Sequence, residues 1–143
     1  MTALTHSRPD SRWRAFTTVE LVGKVEQVYQ GGRACFDSST GLVAKAFAST
    51  TLTPIGTYVE DQLTASGQRV LITLDREVWA RWFKNSTAGD LIITTDQGKD
   101  CYLLDDQTVA KTSGGGTRSV AGRVWDLDPV KGVLVQARGL LAI

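Results

Sequence analysis

The stretch GRACFDSSTGLVAK at residues 32–45 returns in altered form as GKDCYLLDDQTVAK at residues 98–111. In each copy a glycine lies three residues before a cysteine, an aromatic residue follows the cysteine, and Val-Ala-Lys comes at the same distance. Gly32, Cys35, Phe36, Val43, Ala44 and Lys45 therefore match Gly98, Cys101, Tyr102, Val109, Ala110 and Lys111. The offset is 101 − 35 = 66 throughout, and carried on without a gap it sets Thr51 on Thr117 and Gly56 on Gly122. Each copy reads as strand, turn, strand, with DSSTG or LDDQ supplying the turn and Val-Ala-Lys the returning strand. A unit of this size cannot bury its own apolar face, so the repeat predicts two related halves packed on one another. The expected fold is mainly β, a small β-barrel or β-sandwich built from two half-repeats.

Outward from the repeat, short apolar segments are cut by turn-forming residues: LVAKAF before ASTTLTPIG, TYVE before DQLTASGQ, then RVLITL, DLIITT, CYLL, TVAKT, VAGRVWDLD and VLVQA. That spacing is the signature of an all-β chain of about ten short strands. One segment departs from it. LDREVWARWFKNSTAG offers Asp75 as an N-cap, Glu77 in the first turn, Val78, Trp79, Trp82 and Phe83 at helical spacing, and Gly89 past the end. These features predict a short α-helix over about 75–85 that connects the halves. Residues 1–17 lack both periodicities and read as an extended N-terminal arm, leaving residues 18–143 as a single β-rich domain.

At 143 residues one domain burying roughly 70% of its unfolded surface is expected. Sixteen basic and 15 acidic residues are mixed along the chain for a formal charge of +1, so no footprint for nucleic acid or an anionic membrane is visible. The opening MTALTHSRPDSRWRAF has no apolar stretch of the signal-peptide kind, and no run approaches transmembrane length. The expectation is a protein made and kept in a cytoplasm, or in an assembly formed there. Cys35 and Cys101 fit no zinc spacing, and occupy equivalent points of the repeat, where a small apolar residue packs well.

The residues of catalysis are sparse. His6 is the only histidine and sits in the arm, which leaves no positioned histidine for a triad, a metal cluster or general base work. Asp105 with Asp106, and Asp126 with Asp128, read as turn and strand-end residues, because no calcium-loop spacing accompanies them. SGGGTRS at 113–119 offers backbone N–H groups and Arg118 for an anion, yet lacks the lysine and helix of a phosphate loop, and reads more simply as a hairpin loop. No enzyme, cofactor or metal is expected. The arm instead carries Arg8, Arg12, Trp13, Arg14 and Phe16 in one stretch, the residue types that anchor interfaces, and these are the candidate partner-binding residues.

VYQGGRACFDSSTGLVAKA, followed by KDCYLLDDQTVAKTSGGGTRSVAGRVWDLDPVKGVLVQ, resembles the head decoration (capsid cement) proteins of tailed bacteriophages, particularly of Mu-like and related phages. The matching elements are Tyr29 and Gly31 to Asp37; Tyr102 with Asp105, Asp106, Thr108 and Val109; Gly114 to Ser119; and Ala121, Gly122, Val124 and Asp128 with Gly132, Val133 and Val135. The chain departs from the family pattern at Arg33-Ala34-Cys35 and in its tryptophan-rich segment. The resemblance implies a structural virion protein, assembled in a bacterial cytoplasm. It would sit on the outer surface of the capsid at capsomer junctions, with the major capsid protein and its own copies as partners, as a homotrimer rather than a dimer. A tail or baseplate module, a carbohydrate-binding β-sandwich and a trimeric nucleotide hydrolase are the alternatives.

Overall fold

The computed structural model describes residues 18–75 and 80–137, and the described residues are mainly β. In the first half, β1 (Thr18–Val22), β2 (Gln27–Val28), β3 (Arg33–Asp37), β4 (Leu42–Lys45), β5 (Leu52–Tyr58), β6 (Gln62–Leu63) and β7 (Arg69–Leu74) follow in order. The second half contributes β8 (Ala80–Asn85), β9 (Asp100–Leu103), β10 (Thr108–Ala110), β11 (Val120–Asp128) and β12 (Gly132–Ala137). The doubled sequence forms the hairpins β3–β4 and β9–β10. Asp37 sets the first turn by accepting hydrogen bonds from the Ser39 amide at 3.0 Å and from the Ser39 and Thr51 hydroxyls at 2.7 Å each. Asp105 sets the second, its carboxylate accepting the Gln107 N–H at 2.9 Å. Both are the short Asx geometry that makes aspartate a turn residue.

Strand pairing in the first half runs β1-β7-β5-β3-β4, antiparallel throughout. The last strand comes back beside the first through a parallel bridge between Gly23 and Val43, supported by the Lys24 N–H on the Val43 carbonyl at 2.8 Å. In the second half the order is β8-β12-β11-β9-β10, and β10 returns to β8 in parallel through Thr108↔Lys84 and Val109↔Asn85, closing the ring of ladders. Closure leaves no long unpaired strand edge, the usual hazard of a small sheet. A separate two-stranded ribbon, β2–β6, lies outside the first five-stranded sheet.

Each half bends at a bulge. On β5, Ile55 is the extra residue between the pairs Ala34↔Gly56 and Cys35↔Pro54. On β11, Ala121 is the extra residue between Cys101↔Gly122 and Tyr102↔Val120. The glycine next to each bulge lies against a neighbouring carbonyl: a Cβ on Gly56 would run into the Thr73 oxygen and one on Gly122 into the Gln136 oxygen. Bulge and bare backbone together let a strand turn tightly enough to close so small a ring.

The first core holds Val28, Ala34, Val43, Ile55, Tyr58, Val70 and Ile72. Around the second, Phe83, Cys101, Leu103, Val109, Val124, Val133 and Val135 are joined by Cys35, Ala46 and Leu52 from the first half. Ala34 and Cys35 are adjacent on β3 and enter different cores, because successive side chains leave opposite faces of a strand. β3 is therefore covered on both faces. Both cysteines are free and fully buried, and burial pushes each thiol up to about 12, which keeps it protonated and inert.

The helix expected over 75–85 is corrected: residues 80–85 are strand β8, while 76–79 lie outside the described residues. β12 offers β8 an antiparallel ladder, Gln136↔Ala80 to Val133↔Phe83, and β10 a parallel one on its other edge. Two ladders and a core position for Phe83 outweigh the helical spacing of the aromatics, residue types that favour strands wherever a pleated surface is available.

Asp75 is not a cap. Its carboxylate takes the Arg33 guanidinium in a two-point ion pair, Nη1 to Oδ1 at 2.7 Å and Nη2 to Oδ2 at 2.6 Å, with both side chains fully buried. Arg33 also donates to the Gly56 carbonyl at 3.0 Å and lies 6.0 Å from the centroid of the Phe83 ring across the junction. Removing one partner of a buried pair strands the other charge, so Asp75→Ala is expected to lower stability by roughly 3–5 kcal/mol. The double change Arg33→Met/Asp75→Leu is expected to cost clearly less than Asp75→Ala alone. Urea unfolding of the two variants beside the wild type measures both effects.

The glycine contacts give a second expectation. Gly56→Ala and Gly122→Ala are each expected to cost roughly 1–3 kcal/mol by overpacking against a carbonyl. Gly67→Ala, at a turn with open space and φ +78, isolates the backbone cost alone. The same denaturation series compares them.

Candidate partner-binding cleft

The candidate anchors Arg8, Arg12, Trp13, Arg14 and Phe16 lie outside the described residues. The glycine-rich loop between β10 and β11 is described, and it satisfies itself. Gly114, Gly115 and Gly116 take successive positive φ values of 63, 72 and 85. The N–H groups of Gly114 and Gly116 are taken by the Thr112 and Ser113 hydroxyls, and those of Thr117 and Arg118 by the Ser113 carbonyl. Arg118 is tied to the Asp90 carboxylate at 3.2 Å and the Thr112 carbonyl at 3.1 Å. With four of its backbone N–H groups and the Arg118 Nη1 engaged inside the protein, the loop is a built hairpin connection. Ser119, at its end, is buried and accepts the Leu52 N–H across the junction at 3.1 Å.

Asp106 gives its backbone carbonyl to the Arg33 N–H at 2.8 Å, and Asp128 closes the β11–β12 turn by accepting the Val130 and Lys131 N–H groups at 2.8 Å each. Among the described residues no three His, Cys, Asp or Glu side chains gather as a metal site would require.

The surface feature that stands out is a cleft of about 650 Å³ between the β11–β12 turn and the connection from β8 to β9, lined in part by Lys84, Asn85, Leu91, Leu127, Val130 and Lys131. DLIITT, expected as a strand, builds one wall as two single-turn 3-10 helices, Ala88–Asp90 and Thr94–Asp96, with Leu91 to Ile93 between them. What holds it is Asn85, whose side-chain amide donates to the Ile92 carbonyl at 2.9 Å and accepts the Ile92 N–H at 3.0 Å, substituting for a strand partner. Ile92 is thereby buried while Leu91 and Ile93 are exposed. Val130 tips the opposite turn at 93% exposure. The Lys131 ammonium lies over the Trp82 ring, 5.5 Å from its centroid. Trp125, the unpaired residue of a further bulge between Val124 and Asp126, is also exposed.

The first half carries its own exposed apolar residues at topologically matching places. Val25 and Tyr29 lie on the connection from β1 to β3, and Leu63, at 72% exposure, on that from β5 to β7. Large apolar side chains grouped at loops that no core claims are the mark of a surface that meets a partner. Sequence reading overlooked these residues because each is a single apolar side chain inside a turn-rich stretch. The only signal was the alternation through Leu91, Ile92 and Ile93. No protein-family model, curated protein or solved structure matches this chain.

The turns framing this surface depend on ionised aspartates. Asp128 is held below the usual carboxylate range by the Lys131 and Val130 N–H groups, Asp90 by the Thr112 hydroxyl and Arg118, and Asp37 by the Ser39 and Thr51 hydroxyls. A carboxylate whose folded-state pKa lies below its unfolded value of about 3.9 adds stability that is fully present above that value. The contribution is lost as pH falls through the lowered folded pKa. Stability is therefore expected to be level from neutrality to about pH 5 and to decline below about pH 4. Asp128→Asn, which keeps an acceptor oxygen, is expected to flatten part of that decline. Thermal melts between pH 2 and pH 6 measure it.

Proposed function

We propose that the chain is a structural virion protein that binds the outer surface of an assembled phage capsid at capsomer junctions and stabilises the shell. The observation that carries the reading is where the resembling sequence falls. Its cement-like segments are the hairpins β3–β4, β9–β10 and β11–β12 and the loop between β10 and β11, drawn from both five-stranded units. Such a protein needs stiffness and exposed anchors rather than a reacting group, and binding the folded shell but not its separate subunits stabilises the shell by mass action.

In this reading the two halves are copies of one closed unit. Supporting that are the shared strand order, bulges at Ile55 and Ala121, and carbonyl-facing glycines at Gly56 and Gly122, each pair 66 residues apart. Self-association completes the assembly, a homotrimer in preference to a dimer, and many symmetric copies add avidity on the major capsid protein. No catalysis belongs to the reading.

The arm is the assigned attachment element. Ordering it costs roughly 1–2 kcal/mol of backbone entropy per residue, and Trp13 with its flanking arginines is the contact able to offset that. Full-length protein is expected to co-sediment with undecorated capsids of its phage. Deletion of residues 1–14, or Trp13→Ala, is expected to weaken occupancy at least tenfold, about 1.4 kcal/mol, with the β framework still folded. Full-length protein that never binds the shell overturns the function. Unchanged occupancy of the truncated protein removes the arm from the interface.

A further inference from the structure

The two exposed apolar surfaces differ in charge. On the first half, Val25, Tyr29 and Leu63 surround the β2–β6 ribbon, and Glu60 and Asp61 stand at its entry. Asp61 fixes that entry by accepting the Gln30 N–H at 2.8 Å, and among the described residues neither Glu60 nor Asp61 has an ion-pair partner. Three further charges flank the ribbon: Lys24 over the Phe47 ring at 5.1 Å, Lys45 with its ammonium on the Gln27 carbonyl at 3.1 Å, and Glu26, which accepts the Lys45 backbone N–H at 2.8 Å. Counted with Glu60 and Asp61, they leave the ribbon apolar and acidic by one charge.

The cleft on the second half presents the complement. Leu91, Leu127 and Val130 supply its apolar lining, and Lys84 and Lys131 its cations, neither with an ion-pair partner among the described residues. Its one carboxylate, Asp128, is ionised and accepts the turn N–H groups, and Lys131 also lies over the Trp82 ring at 5.5 Å, so the cleft is basic by one charge.

We propose that the β2–β6 ribbon of one copy docks into this cleft on a second copy, placing Leu63 and Tyr29 against Leu91 and Val130 and Glu60 and Asp61 beside Lys84 and Lys131. Like-with-like docking is disfavoured, since two ribbons would bring their carboxylates together and two clefts their ammonium groups. An interface between two different patches is heterologous and, repeated, closes into a ring if its rotation permits. This deepens the self-association part of the proposed function, yet its test involves no capsid, so the two fail separately.

The experiment is sedimentation velocity with light scattering on the full chain over a micromolar concentration series. The wild-type chain is expected to associate. Lys84→Glu/Lys131→Glu and Glu60→Lys/Asp61→Lys are each expected to weaken association at least tenfold, and the combined four-fold variant to restore it to within a few-fold of wild type. Asp61→Lys also removes an acceptor for Gln30, so Leu63→Asp, which disturbs no hydrogen bond, is the second ribbon variant and is expected to dissociate the protein likewise. Circular dichroism melts verify that each variant folds. A wild-type chain that stays monomeric throughout, reversals that leave its association unchanged, or a four-fold variant that fails to recover each overturn the proposal.

Discussion

Arg33 stands where the two halves meet, and most of the long-range geometry passes through it. Its guanidinium grips Asp75 at the end of the first half and the Gly56 carbonyl on β5, and it lies near Phe83 of β8. Its backbone N–H donates to Asp106 in the β9–β10 turn at 2.8 Å, and its carbonyl accepts from Ala46 at 3.0 Å. A guanidinium without access to water tolerates few arrangements, because every alternative leaves a charge unpaired at a cost of several kcal/mol. The pair adds little net stability compared with apolar residues of the same volume. What it supplies is register: β3, β5 and the start of the second half are held in one relation.

The rest of the framework follows from the need to leave few polar strand edges. In the second half a parallel ladder, Thr108↔Lys84 with Val109↔Asn85, joins β10 to β8, whereas the seam of the first half is a single parallel bridge, Gly23↔Val43. Where the first seam is short, the Glu26 carboxylate takes the Lys45 N–H and the Lys45 ammonium takes the Gln27 carbonyl at 3.1 Å, so side chains finish what the ladder does not. A buried backbone group left unpaired would cost about as much as a lost hydrogen bond. Among the described residues, the buried side-chain oxygens of Tyr58 and Thr64 have no hydrogen-bond partner, and both lie in the first half. Burial and the neighbouring Glu26 push the Tyr58 phenol well above its ordinary range, which leaves it neutral at any physiological pH.

With the backbone of each half committed to its strand ladders, variation is left to the connections, and there the halves diverge. One connection became a ribbon with carboxylates at its entry. The other became a pair of single 3-10 turns pinned by Asn85, with lysines beside it. Loops on a rigid β scaffold are where binding surfaces are usually built, since they change without disturbing the core.

The sequence by itself determined the mainly β character, the hairpins written twice, the aspartate turns and the burial of both cysteines. Each rests on local chemistry: period-two apolar residues, carboxylates that cap turns, and glycines where the backbone needs them. Its reading failed where partners are far apart in the chain. Residues 80–85 satisfy helical spacing about as well as strand spacing, and only the ladder from residues 133–136 decides between them. Asp75 reads as a cap because its partner, Arg33, is 42 residues away. Leu91 reads as part of a strand and Val130 as part of a turn, and they become a surface only when the β11–β12 turn is folded across from the β8–β9 connection. Local rules see the energy of a few neighbouring residues, whereas ladders, buried ion pairs and clefts are formed by contacts that exist only after distant segments have met.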